Sequence, residues 1–142
     1  RRVLLVVLAR ALLPRPPAAL RLRARPLPPP GWALPGGCGA GGAPLAAAAV
    51  RDARAEPSRD VRLTGLLGNY SNPLRDARAH TVSAVYTAES AGRPVAADDA
   101  RHLDVFAPGD VPLLAFDHAQ IIADYLVLRQ TGVPVPLRQD AT

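Results

Sequence analysis

The chain has 142 residues and a formal net charge of +5, and all 17 of its basic residues are arginine. This length fits a single domain that can bury its own core. Cys38 is the only cysteine, which excludes an internal disulfide and the small folds that depend on several. The chain therefore needs no oxidising compartment, and we expect a cytoplasmic protein.

The positive charge is concentrated at the start of the chain. Residues 1–30 contain seven arginines and no acid, whereas the rest of the chain contains ten arginines and twelve acids. A basic arm of this kind can contact nucleic acid or anionic lipid. Because the arm has no aromatic side chain on which bases could stack, a solvated strand and loop is the favoured interpretation. Neither nucleic acid nor a membrane is an expected partner.

The first two predicted elements are strands. Residues 3–8 form a continuous run of valine and leucine, which is typical of a strand covered on both faces. Arg10 interrupts this run, which is too short for a membrane-spanning helix and atypical of a signal peptide. Residues 18–25 alternate leucine with arginine, which predicts a half-buried strand.

A glycine-rich loop and a helix follow these strands. Residues 31–42 contain a Pro-Gly-Gly turn and four further glycines, and residues 44–56 contain an alanine run that Pro57 ends, which predicts a helix. Asp52 and Glu56 are four residues apart and therefore share one helix face. A loop of backbone N–H groups beside helix-borne carboxylates can hold a metal ion and a diphosphate together.

Strands and loops alternate before a closing helix. Strands are predicted over residues 61–70, 81–88 and 103–107. The loop from Tyr70 to His80 is rich in turn formers and charge. Asp117, with Gln120 three residues later, predicts a capping box at the start of the second helix. This order of elements predicts an α/β/α sandwich around a mixed β-sheet.

The loop and helix resemble the Nudix box. The family pattern is a glycine, five residues, a glutamate, seven residues, Arg-Glu, an apolar residue, any residue, Glu-Glu, any residue, a glycine and an apolar residue. WALPGG and LAAAAVRDARAE keep this frame when the pattern starts at Gly37. Arg51 matches the arginine, Asp52 replaces the glutamate beside it, and Glu56 keeps the second glutamate of the pair. The departures from the pattern are Ala43, Ala55, Ser58 and Arg59.

Two further segments, YSNPLRDARAHTVSAVY and LLAFDHAQIIADYL, resemble the ADP-ribose pyrophosphatase-like branch of this family. Together with the box they cover most of residues 18–130. The resemblance implies a single Nudix-like domain over residues 1–142, with a basic first strand and a proline-rich loop in residues 1–17 and a loose tail in residues 131–142. Many relatives carry a further glutamate in the segment where this chain has His102.

The resemblance implies Mg²⁺- or Mn²⁺-dependent hydrolysis of a nucleoside diphosphate derivative such as ADP-ribose. Asp52 and Glu56 would hold the metal, with Arg51 beside them as a catalytic residue. Mg²⁺ often takes only one or two protein carboxylates, because water and phosphate complete its shell. The implied substrate-binding residues are Gly36, Gly37, Arg75, Arg78 and His80. The alternatives are a solvated helix face for the acids and an ordinary charged loop for the last three residues.

Three functions remain open on the sequence alone: a Nudix hydrolase, a Nudix-fold nucleotide sensor or regulator without catalysis, and a nucleic-acid-binding module that uses the basic arm. The acids missing at Ala43 and Ala55 are what separate the first two functions. A homodimer is also left open. A serine hydrolase is disfavoured, because no serine has histidine and aspartate partners at a convincing spacing. His102 and His118 are further candidate ligands or bases.

Overall fold

The structure, a computed structural model, describes residues 2–11, 20–25, 31–38, 42–54, 61–90, 103–107 and 109–138. Within these residues the strands are β1 (Arg2–Ala11), β2 (Leu20–Arg25), β3 (Gly31–Ala33), β4 (Gly36–Cys38), β5 (Val61–Tyr70), β6 (Thr81–Ser90) and β7 (Leu103–Phe106). The helices are α1 (Leu45–Arg54), α2 (His118–Thr131) and a short 3₁₀ turn (Pro73–Arg75).

The seven strands form one mixed sheet with β1 near its centre. The main path runs β3-β2-β1-β6-β5, while β4 also pairs with β1 and β7 with β2. The β1 and β6 strands are parallel, whereas β4 is antiparallel to β1 and β5 is antiparallel to β6. A strand order of this kind, with a helix between paired strands, agrees with the predicted α/β class.

The two helices cover opposite faces of the sheet. Ala48 of α1 packs against Ala84 of β6, and Ala49 packs against the neighbouring strand residues Val61 and Ala88. The next residue of β6, Val85, is fully buried in the cluster that contains Ile121, Ile122 and Tyr125 of α2. Because successive side chains of a strand point to opposite faces, α1 and α2 lie on different sides, as the sandwich prediction required.

The predicted boundaries agree with the observed ones where the sequence pattern is strong. The β5 strand spans the predicted residues, and Gly65 and Gly68, the weak points of its pattern, lie at shifts in its register with β6. The described part of α1 ends at Arg54, so Ala55 and Glu56 of the predicted helix lie outside the described residues. His102 also lies outside them.

Two local predictions were wrong. Gly36–Cys38, predicted as loop, is the short strand β4 against β1, because backbone pairing does not require side chains. Asp117 precedes α2 but makes no capping hydrogen bond through its side chain, because its carboxylate instead binds Arg75. At the other end of α2, Gly132 adopts a left-handed conformation (φ 71°) and ends the helix.

The chain after α2 returns along the helix. The carboxylate of Asp124, in the middle of α2, accepts hydrogen bonds from both terminal guanidinium nitrogens of Arg138 at 2.7 and 2.9 Å. This ion pair holds the described end of the predicted tail against α2. In the described part of the chain, no helix combines the length and hydropathy that a membrane span would need.

Candidate functional site

A carboxylate on α1 lies directly against the glycine strand β4. Ala48 and Ala49 face the sheet, and Asp52 follows them by four and three residues, so it shares their inward face. A side chain at Gly37 would place its Cβ 2.9 Å from Cγ of Asp52, and closer still to Oδ2. Only a glycine at position 37 therefore leaves room for this carboxylate.

The two oxygens of Asp52 have different surroundings. Oδ1 accepts hydrogen bonds from Nε and Nη2 of Arg51 at 3.0 and 2.8 Å. Oδ2 is buried and has no hydrogen-bond partner among the described residues. A buried carboxylate oxygen without a donor is costly, and a hard divalent cation is the kind of group that such an oxygen binds. The oxygen therefore fits the metal that the box implies.

Asp52 is the one predicted metal ligand that lies within the described residues. The described residues contain no group of three or more histidine, cysteine, aspartate or glutamate side chains that could hold a metal ion. Glu56, the second predicted ligand, lies outside the described residues, so its role stays a prediction. Arg51 is exposed and neutralises only the outer oxygen of Asp52. Oδ2 would therefore be the described oxygen that holds the cation.

The sheet topology places the segments that are predicted to bind substrate at the same end of the strands. The β4 strand is antiparallel to β1, with Gly36 opposite Val6 and Cys38 opposite Leu4, so β4 ends where β1 begins. The β6 strand is parallel to β1, so it begins at the end of the sheet where β1 begins, and β5 ends there too. The end of β4 at Cys38 and the loop between β5 and β6 (residues 71–80) therefore lie at the same end of the strands.

Arg75 is the buried anchor of the 71–80 loop. Its Nε and Nη2 donate to the two oxygens of Asp117 at 2.8 and 2.6 Å, and its Nη1 donates to Ser83 Oγ. Only 3% of the Arg75 side chain is exposed. The guanidinium of Arg75 is therefore directed at Asp117, at the start of α2. Its predicted role in substrate binding is not tested by these contacts and stays a prediction.

Arg78 is exposed, in contrast to Arg75. Its Nε and Nη2 donate to Oδ1 and Oδ2 of Asp76 at 2.9 and 2.8 Å, and its guanidinium lies 5.0 Å from the ring centroid of Phe116. The hydrogen bond from Arg78 lowers the pKa of Asp76 to about 2, so this carboxylate stays ionised at neutral pH. The sequence did not indicate Phe116, which has φ 55°, an unusual value for a residue other than glycine.

His80 closes the 71–80 loop. Its Nε2 lies 2.9 Å from the carbonyl oxygen of Ser71 and donates to it, since a carbonyl can only accept. His118, the other described histidine that the sequence singled out, is buried, and its Nδ1 accepts a hydrogen bond from the backbone N–H of Leu34. His118 thus joins α2 to the segment between β3 and β4.

A second polar cluster lies on the α2 face. Tyr70 donates to Oδ2 of Asp124 at 2.8 Å, and Arg138 binds the same carboxylate. Burial, followed by the hydrogen bond to Asp124, raises the pKa of the Tyr70 hydroxyl. These residues, together with Asn72 and Gln120, contribute to the lining of a cavity of about 910 Å³ between the end of β5 and α2.

Comparisons with known structures identify the fold. A Listeria innocua protein of the mutT/nudix family superposes with a TM-score of 0.75 at 22% identity, covering 92% of this chain and 95% of that one. The NUDIX domain of Shewanella oneidensis NrtR, crystallised with ADP ribose, gives a TM-score of 0.67 at 23% identity, covering 91% and 88%. The fold is therefore the Nudix fold.

Sequence similarity indicates to which branch of the Nudix family the chain is most similar. An ADP-ribose pyrophosphatase of Methanocaldococcus jannaschii is 40% identical over 96 residues, which are 67% of this chain and 57% of that protein. The match thus spans a little over half the length of this relative. No protein-family model matches the chain. The curated relative and the structural neighbours together confirm the resemblance to the Nudix family and to its ADP-ribose pyrophosphatase-like branch.

Proposed function

We propose that the protein is a Nudix hydrolase that cleaves the diphosphate of a nucleoside diphosphate derivative such as ADP-ribose, with Mg²⁺ or Mn²⁺ as cofactor. The observation that carries the proposal is Oδ2 of Asp52, a buried carboxylate oxygen without a donor that faces Gly37. Similarity to an ADP-ribose pyrophosphatase supports the substrate class. The whole of residues 1–142 is proposed to form this one domain.

Each residue of the proposed site has a distinct task. Asp52 and Glu56 would hold the metal, which when bound neutralises phosphate charge and activates water. Arg51 binds Oδ1 of Asp52 and so fixes the carboxylate with Oδ2 directed inward. Gly37 leaves room for the carboxylate of Asp52, because it has no side chain, and the diphosphate would bind beside this strand.

The experiment that tests this proposal measures hydrolysis of ADP-ribose with and without Mg²⁺. Asp52→Asn keeps the side-chain shape but removes the charge, and it should lower turnover at least about tenfold. Glu56→Gln should do the same. Asp110→Asn is the matched control, since Asp110 is an exposed carboxylate in the turn before α2. Wild-type turnover in Asp52→Asn would refute the assignment of the metal site.

A second candidate function is nucleotide binding without catalysis, as in a sensor. It is favoured by Ala43 and Ala55, which stand where the family pattern has glutamate. Under this alternative the wild-type protein binds ADP-ribose and does not cleave it. A variant with Ala43→Glu, Asp52→Glu and Ala55→Glu should then gain Mg²⁺-dependent turnover, whereas under the first proposal it only raises turnover that is already present.

A further inference from the structure

Hydrogen bonds hold the planar guanidinium of Arg78 in a fixed orientation. Asp76 accepts hydrogen bonds from Nε and Nη2 of Arg78, and from its backbone N–H at 3.0 Å, so the plane cannot rotate freely. Only 9% of the Asp76 side chain is exposed, which keeps this carboxylate in place. Asp76 thus occupies the Nε/Nη2 side of the guanidinium, one of the two sides that can bind phosphate in a bidentate manner.

One face of this guanidinium is covered and the other is open. The guanidinium lies over the ring of Phe116, with Cζ of Arg78 5.0 Å from the ring centroid. Over half of the Arg78 side chain, 54%, is nevertheless exposed. Since Phe116 lies on one side of the guanidinium, we infer that the exposed area includes the face turned away from the ring. Phe116 holds its position with a positive φ of 55°, a strained conformation of the kind found at functional sites.

The guanidinium of Arg78 belongs to a loop at the same end of the strands as the proposed metal site. Gly37 and Ala84 are both register partners of Leu5, and Thr81, the first residue of β6, lies three residues before Ala84. Standard strand spacing and rise give a separation of roughly 14 Å between Gly37 and Thr81. Arg78 precedes Thr81 by three residues. An extended nucleotide with its diphosphate at Gly37 can therefore bring its base to this loop.

We propose that the open face of the Arg78 guanidinium stacks on the nucleobase of the substrate, in a sandwich of base, Arg78 and Phe116. The proposal rests on the function proposed above, and it assigns Arg78 to the base and not to the phosphates. Arginine suits this position because its guanidinium is planar, delocalised and weakly hydrated. Stacking is tolerant of base identity, since every base has a π face. Arg78 therefore supplies affinity for nucleotides as a class.

The test compares two ligands on the full chain by isothermal titration calorimetry. ADP carries a base and a diphosphate, and inorganic pyrophosphate carries a diphosphate alone, with its affinity read from displacement of ADP. Arg78→Lys keeps the charge and removes the planar guanidinium, and Arg78→Gln removes the charge as well. We expect ADP to bind about tenfold more weakly to either variant, the size typical of one lost base stack. Pyrophosphate should bind both variants as it binds the wild type.

The matched control is Arg62→Lys. Arg62 is also an exposed arginine in an ion pair with a carboxylate, Glu89, but it lies at the far end of β5 and β6. Its substitution should leave the affinity for ADP unchanged. Thermal melting of each variant checks that it is folded. Loss of ADP affinity in Arg78→Gln but not in Arg78→Lys would assign the effect to charge and overturn the stack.

Three other results would overturn the inference. Equal affinity for ADP in wild type and both Arg78 variants would show that no stack exists. Parallel losses for ADP and pyrophosphate would make Arg78 a phosphate ligand. Failure of the wild type to bind ADP or ADP-ribose would remove the nucleotide site altogether, and the proposed function with it. Binding that depends on Arg78, in a protein that shows no turnover, would instead refute the hydrolase proposal and leave the base stack standing.

Discussion

Replacing Gly37 with alanine should push Asp52 out of its position, and this substitution tests the geometry of the candidate metal site. The added Cβ would lie 2.9 Å from Cγ of Asp52, inside the 3.0 Å that real Cβ atoms keep. The group that must yield is the end of a side chain and not a backbone segment. The cost should therefore be at the low end of the range for overpacking, about 1–2 kcal/mol of unfolding free energy.

A double-mutant cycle with Asp52→Ala separates this clash from other effects of the new methyl group. With the carboxylate removed, Gly37→Ala should cost close to nothing, and the coupling between the two positions should exceed about 0.5 kcal/mol in urea unfolding. Gly68→Ala is the control, since its Cβ would meet its nearest neighbour at an ordinary 3.9 Å. Mg²⁺-dependent turnover should fall in Gly37→Ala by more than the loss of stability explains. An equal cost in both backgrounds would refute the contact between Gly37 and Asp52.

Two further predictions concern the loop before β6. Arg75→Met removes one partner of a buried ion pair and should cost about 3 kcal/mol of unfolding free energy, measured in urea, with a loss below about 1 kcal/mol contradicting the anchor role. The hydrogen bond from Arg78 lowers the pKa of Asp76 to about 2, below its usual value of about 3.9 in an unfolded chain. The stability that this ionised carboxylate contributes is therefore present above about pH 4 and is lost as the pH falls through about 2. The difference in unfolding free energy between wild type and Asp76→Asn should shrink over that interval, and a difference independent of pH would contradict the pairing.

Sequence patterns predicted the larger elements because their physical signals are local. Period-two alternation predicted β6, and the alanine run followed by Pro57 predicted α1. Even the weak points of β5 were visible, since the glycines that lower strand propensity are where its register shifts. The resemblance to the box singled out Asp52, whose role as a metal ligand stays a prediction, and it gave no indication of the contact between Asp52 and Gly37.

The missed features depend on partners that are distant in the sequence. Asp117 has the local signature of a capping box, yet its carboxylate binds Arg75, which lies 42 residues earlier in the chain. The guanidinium of Arg75 gives this carboxylate two parallel hydrogen bonds and an opposite charge, whereas a capping contact gives one hydrogen bond to a neutral N–H, so the distant partner prevails. Likewise, nothing in the residues near Phe116 indicates that Arg78 lies over its ring. Only the fold brings these residues together.

The position of β1 affects how the protein can fold during its synthesis. Each residue of β1 from Arg2 to Ala11 pairs with a β6 residue 79 positions further along the chain. One hydrogen-bonding edge of this central strand therefore has no native partner until most of the chain has left the ribosome. Pairing over such a separation is slow, and an open strand edge invites association with other chains. We expect the nascent chain to depend on chaperones, and its yield to fall when translation pauses between β5 and β6.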